Sequence, residues 1–172
     1  MLCTLTKSPI DNPDYLYEMK WDGYRIVAFK DGAKIRMNSC SGLDYTSKYP
    51  PVAKAIRSLD HDVILDREVV VFNKEGRPDF DAVQLYNGHD TPIKYCVFDL
   101  LYLDGADLTE LPLEQQKNLL KELTKNDDTF YYSESLMMAT PYIRWPWNIT
   151  YKALWPKTET APMSKADGPL PG

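Results

Sequence analysis

Short apolar runs separated by polar turns dominate the first two-thirds of the chain, and that pattern predicts strands. Tyr15 to Trp21 is an aromatic-rich run, followed by Asp22-Gly23, the strongest short hairpin signal present. Tyr24 to Lys30 then reads as its return strand, with Ile26, Val27 and Phe29 among its apolar residues. Asp31-Gly32 is a second such turn, leading into a strand over Lys34 to Asn38, so the opening is expected to be an antiparallel meander. Further strands are expected at Val63 to Phe72, Ile93 to Leu103 and Phe130 to Ser133. Helical spacing of Val52, Ile56 and Leu59 predicts a helix over Pro51 to Leu59. Phe80 to Tyr86 reads as a short helix. Leu113 to Leu123 is the best helix, with Glu114 in its first turn and Lys121 near its end complementing the dipole. Periodicity disappears after Leu136, where residues 141–172 hold six of the thirteen prolines and three of the four tryptophans. The expected class is α+β, with mainly antiparallel sheets and flanking helices.

The 172 residues suffice for one domain with its own core. With 44% hydrophobic and 26% charged residues, the composition excludes a disordered tail or a collagen-like repeat. No run approaches the length of a membrane-spanning helix, and Met1 to Pro9 lacks the pattern of a secretory signal, so a cytoplasmic setting without membrane contact is expected. Cys3, Cys40 and Cys96, with His61 and His89, are too few and scattered for a disulfide framework or a cysteine-rich zinc site. The net charge of −5 is unevenly spread. Residues 18–57 carry eight Lys/Arg against four Asp/Glu, and residues 99–134 carry three against nine. The basic first third is the part suited to an anionic ligand.

The segment Glu18-Met19-Lys20-Trp21-Asp22-Gly23-Tyr24-Arg25 holds the densest chemistry. An amine near a hairpin mouth, once stripped of its proton, can attack phosphorus or a carbonyl carbon. Asp22 could orient that amine or help hold a metal, and Arg25 could hold a phosphate or a ribose hydroxyl. The same spacing also fits an ordinary hairpin with solvated Lys and Arg.

The pattern Lys20-x-Asp22-Gly23-x-Arg25 resembles the nucleotidyl-lysine motif of ATP-dependent DNA ligases and mRNA capping enzymes. Ile64-Leu65-Asp66-Arg67-Glu68-Val69-Val70 resembles the ligase strand Leu-Asp-Gly-Glu-Leu/Val-Val. Tyr95 to Gly105 resembles the strand whose aromatic residue stacks on adenine, a place held here by Phe98. Leu2, Pro9 to Tyr17, Gly42 to Thr46, Gly76-Arg77-Pro78 and Leu113 to Lys117 extend the likeness to the ligase domain of bacterial non-homologous end-joining ligases, over about residues 2–135. The resemblance implies a nucleotidyltransferase fold (ATP-grasp-like, of the ligase adenylation type) over residues 1–135. It implies ATP and Mg²⁺ or Mn²⁺ as cofactors, and AMP carried on Lys20 as a phosphoramidate. Transfer to a 5′-phosphate of nicked or broken duplex DNA follows in the family, in nucleoid-associated repair and recombination, with an end-binding repair protein as a partner. Glu18, Met19, Arg25, Glu68 and Phe98 are the implied nucleotide contacts. Asp22 and Glu68 are the implied metal ligands, and Arg36 and Ser39 the DNA- or phosphate-binding residues.

Three departures stand against the pattern. Ser39-Cys40-Ser41-Gly42 occupies the place of Ser-Arg-Asn-Gly, so a phosphate-holding arginine is replaced by Cys40. Arg67 replaces the small residue before Glu68, and strand alternation puts it on the face opposite Glu68. Glu159 to Asp167 is a faint echo of a later family strand, interrupted by Pro162. Residues 136–172 are thus expected to be a divergent remainder of the domain, with no OB-fold domain following. The alternatives are a nonenzymatic nucleotide- or DNA-binding remnant and an RNA ligase or capping-type nucleotidyltransferase.

Overall fold

The computed structural model describes residues 15–88, 91–133, 135–136 and 151–156. Leu2, residues 9–14, His89 and the 159–167 stretch lie outside them.

The larger sheet is built from β2 (Tyr24–Asp31), β3 (Lys34–Ser39), β4 (Val63–Val71), β5 (Ile93–Leu103) and β6 (Ala106–Asp107), in the order β3-β2-β4-β5-β6. These neighbours are antiparallel, and β7 (Phe130–Tyr132) adds to β5 in parallel. Register sorts the side chains. Ile26 opposes Arg67, Ala28 opposes Leu65, and Tyr24 opposes Val69. Opposed residues project to the same side. One face therefore carries Ile26, Ala28, Leu65 and Val69, all fully buried in the main core with Tyr95, Val97 and Leu100. Burying an Ile, Leu or Val side chain in this way stabilises by about 1.5–3 kcal/mol. The other face carries Arg25, Val27, Asp66 and Glu68.

Helices cover the core face. In α1 (Pro50–Arg57), prolines at the first positions lack an N–H that would go unsatisfied, and Val52, Ala53, Ala55 and Ile56 turn inward. In the short α2 (Phe80–Gln84), the Asp79 carboxylate caps the start by accepting from the Ala82 N–H at 2.9 Å. α3 (Leu113–Thr124) contributes Leu120 to the core and packs on β5 and β7.

The opening meander is only half present. Asp31-Gly32 does turn β2 into β3, with Gly32 at φ +53°. β1 (Tyr15–Met19), however, does not pair with β2. It is the centre of a second, three-stranded antiparallel sheet, between β8 (Ser135–Leu136) and β9 (Tyr151–Pro156). The expected Asp22-Gly23 hairpin is therefore wrong, and the two residues lie where the chain passes from one sheet to the other. Gly23 does not adopt the positive φ that a primed hairpin turn would require. A Cβ there would stand 2.2 Å from the Val69 carbonyl oxygen and 3.1 Å from Glu68 Cγ. The glycine is needed because the backbone presses on β4, and β9 is a strand that the Pro/Trp-rich pattern after Leu136 did not reveal.

Gly23→Ala must push the crossing off β4 and is expected to lower stability by about 1–3 kcal/mol. Asp22→Ala, at an exposed neighbour, should stay within about 0.5 kcal/mol. Urea-unfolding midpoints of the two variants check this. Equal midpoints would contradict the close approach.

Candidate active site

The crossing from β1 to β2 is held by buried positions alternating with exposed ones. Glu18 is buried, Trp21 is buried and Gly23 is pressed on β4, whereas Lys20 and Asp22 are exposed. The Trp21 ring meets Phe72 edge-on at 5.8 Å and Tyr131 at 5.2 Å, and its Nε1–H donates to Ser133 Oγ at 3.3 Å. It packs with Val70 and Cys96, and Met19 lies half-buried against the same cluster. Val70 shares a strand face with Glu68 and Asp66. The crossing thus lies on the side of the large sheet that bears Arg25, Asp66 and Glu68.

At the start of the crossing, the Glu18 carboxylate accepts from Lys117 Nζ, and the same ammonium donates to the Phe98 carbonyl at 2.7 Å. Both charged groups are buried. Sequence reasoning missed Lys117. The available signal was its spacing, because positions 113, 117, 120 and 124 share one helix side with buried Leu120 and Thr124.

Across the sheet, Arg25 and Glu68 are register partners. Arg25 grips Asp66 through two parallel bonds, Nε to Oδ1 at 2.9 Å and Nη2 to Oδ2 at 2.5 Å. This bond holds the guanidinium's pKa above its ordinary value, outweighing the opposing effect of burial. Two of its five N–H donors are used on Asp66.

Phe98 is buried at a register shift of β5, where Asp66 opposes Asp99 and Arg67 opposes Val97. Arg67 lies on the face opposite Glu68, as alternation required, and is fully buried there. Its guanidinium stands 6.0 Å from the Phe98 ring centre, and Nη1 donates to the Asp66 carbonyl at 2.5 Å. Among the described residues, Nε and Nη2 meet no hydrogen-bond partner. Burial pushes its pKa down to about 10, against weaker opposing effects of Tyr95, Asp99 and Asp66.

Of the remaining sequence candidates, Arg36 is not brought to this group, whereas Ser39, at the end of β3, opposes Ile26 beside Arg25. Ser39 Oγ pairs with Ser41 Oγ at 2.9 Å and accepts from the Leu43 N–H at 3.2 Å, so its hydroxyl organises the turn after β3. Arg36 opposes Phe29, and its guanidinium lies 5.1 Å from that ring. Four strand steps, about 13 Å, separate Phe29 from Arg25. Cys40 is exposed. A cavity of about 340 Å³ lies elsewhere, between the end of α3 and β7, lined by Lys94, Lys121, Lys125 and Tyr131 and not by the crossing. Among the described residues, no three His, Cys, Asp or Glu side chains group closely enough to hold a metal by themselves. No helix among them is long and apolar enough to cross a membrane.

Residues 1–141 match the model of the family described as ATP dependent DNA ligase domain. The "Multifunctional non-homologous end joining DNA repair protein LigD" of Mycobacterium tuberculosis is 40% identical over 110 residues, covering 63% of this chain and 14% of that protein. The LigD protein of Pseudomonas aeruginosa is 34% identical over 140 residues, covering 78% and 16% respectively. The solved ligase domain of M. tuberculosis LigD is similar with a TM-score of 0.62 and 35% identity, over 74% of this chain and 42% of that one. A mycobacterial DNA ligase D solved with ATP and MES has a TM-score of 0.60 and 37% identity, over 71% and 40%. This chain thus spans about a seventh of these curated relatives and two-fifths of the solved ligase chains.

Arg67→Met removes a buried cation whose lowered pKa corresponds to a penalty of about 3 kcal/mol. The folded state prefers the neutral form, so the penalty is present in full below about pH 10 and fades as pH rises further. The variant is expected to unfold at higher urea at pH 7, by about 1–3 kcal/mol. An unchanged or lower midpoint would contradict the burial argument.

Proposed function

This chain belongs to the ATP-dependent DNA ligase domain family, and from that membership we propose that it takes AMP from ATP onto Lys20 in the first step of DNA strand joining. Its fold is that of a ligase adenylation domain, α+β with a mostly antiparallel sheet. We read residues 1–135 as the core of that domain and 136–172 as its divergent remainder.

The observation that carries the proposal is the pinning of the crossing. Buried Glu18 and Trp21, with Gly23 pressed on β4, leave Lys20 exposed on the side of the sheet that holds Arg25 and Glu68. The uncharged Lys20 amine attacks the α-phosphorus of ATP, forming an N–P bond. The bond from that phosphorus to the bridging oxygen breaks, pyrophosphate departs, and the amine's surplus proton passes to solvent. Little covalent work falls to the protein, so placement and charge decide the rate. Glu18, Met19 and Phe98 form the base end. Arg25, already oriented by Asp66, directs its remaining donors to the sugar or phosphate, and Glu68 faces the same group.

The carboxylates fit a metal held chiefly by the nucleotide. Mg²⁺ is commonly bound by one or two carboxylates together with substrate phosphates, and Glu68, with exposed Asp22, suits that role better than a self-contained cage would. Mg²⁺ or Mn²⁺ would supply charge neutralisation at the phosphates. Arg36 and Ser39 belong to β3, and we assign them to phosphate or DNA contacts. The substrate is nicked or broken duplex DNA, whose 5′-phosphate takes AMP from Lys20 before a 3′-hydroxyl attacks that phosphate, expels AMP and seals the break. An end-binding repair protein delivers it, in the bacterial nucleoid.

Incubation with α-labelled ATP and Mg²⁺ is expected to leave label on the wild-type protein and none on Lys20→Ala. ATP labelled at the γ-phosphate should leave none on either. Label that persists on Lys20→Ala, or ATP binding without any label, would contradict the proposal.

A further inference from the structure

Resting on the reading of Glu18 and Phe98 as the base-binding end, we infer that Lys117 is a positioning residue that sets the geometry of that end by tying the Glu18 carboxylate to the Phe98 carbonyl. Three elements meet at its ammonium. Glu18 belongs to β1 of the small sheet, Phe98 to β5 of the large one, and Lys117 to α3, which packs on β5. Nζ donates to both oxygens, 99 residues apart from Glu18 in sequence and 19 from Phe98.

Stability alone does not call for this arrangement. Removing an ammonium and a carboxylate from water costs several kcal/mol per ion, and apolar replacements of similar volume often match or exceed such pairs. The same helix side carries Leu120 and Thr124, so an aliphatic residue at 117 would extend an ordinary packing stripe. The charged link instead gives a directional join between the two walls of the slot, and its geometry passes to Lys20 two residues beyond Glu18. Displacements of about 1 Å at a reacting group cost on the order of a hundredfold in rate. Lys117 touches neither phosphate nor the attacking nitrogen in this role. Its effect on binding is therefore confined to the base end, whereas its effect on rate passes through the backbone to Lys20.

Calorimetric titration of the full chain with AMP, and separately with inorganic tripolyphosphate, isolates that effect. Lys117→Met is expected to weaken AMP binding by about tenfold or more, the range for a lost hydrogen bond to a charged group. Tripolyphosphate, which has no base, should bind within about twofold of wild type, as expected for an independent site. A general loss of structure would weaken both. Should the single variant fail to melt cooperatively, Lys117→Gln, which leaves Glu18 untouched and keeps a donor at the position, is expected to show the same split. AMP affinity equal to wild type in a folded variant, or parallel loss of AMP and tripolyphosphate, overturns the inference. Wild-type protein that binds AMP but takes no label from α-labelled ATP would overturn the covalent reading alone.

Discussion

The chain has four residues, Lys20 to Gly23, in which to leave one sheet and enter another. That constraint shapes the rest of the site. A crossing so short can be stable only if it is clamped at both ends, and the clamps differ in kind. At the start, a buried ion pair and a carbonyl bond join Glu18, Lys117 and Phe98. At the end, a bare backbone lies against the Val69 carbonyl where no side chain would fit. Between them Trp21 fills a small aromatic cluster. Alternation then leaves Lys20 outward, so a long flexible side chain begins from a rigid base. Entropy lost by the crossing is paid once, during folding, and not again when a nucleotide arrives.

Much of the large sheet was legible because its strands obey simple rules. The alternation in Tyr24 to Lys30 and the run from Ile93 to Leu103 correspond to β2 and β5 nearly residue for residue. The helix over Leu113 to Leu123 showed its spacing and its end charges plainly. Asp22-Gly23 was misread because the dipeptide has two physical uses. Glycine at a turn supplies positive φ, whereas glycine at a close approach supplies the absence of a Cβ. Sequence alone does not separate them, but Gly32 and Gly23 in this chain do. β9 escaped notice because it pairs with β1 across more than a hundred residues, and its local composition carries little period. Of the proposed site, Lys20 and Arg25 stand in one spaced motif and Glu68 in another, whereas Lys117 was hidden as a charge within an otherwise ordinary amphipathic helix.

The departures from the family pattern have unequal weight. Arg67 is buried with two donors that meet no partner among the described residues, so it burdens the folded state 6.0 Å from the centre of the Phe98 ring. Cys40 lies in a turn ordered by Ser39 and Ser41, where its side chain is exposed and the Arg25–Asp66 pair is left intact. The first change is one of stability, the second one of charge near the phosphate end. Neither interrupts the clamped crossing.

The account turns on one amine, and peptide mapping by mass spectrometry reads it directly. After incubation with ATP and Mg²⁺, the peptide containing Lys20 is predicted to carry the mass of one AMP, and added pyrophosphate should remove it. AMP on a different residue, or an unmodified Lys20 peptide from protein saturated with ATP, would contradict it.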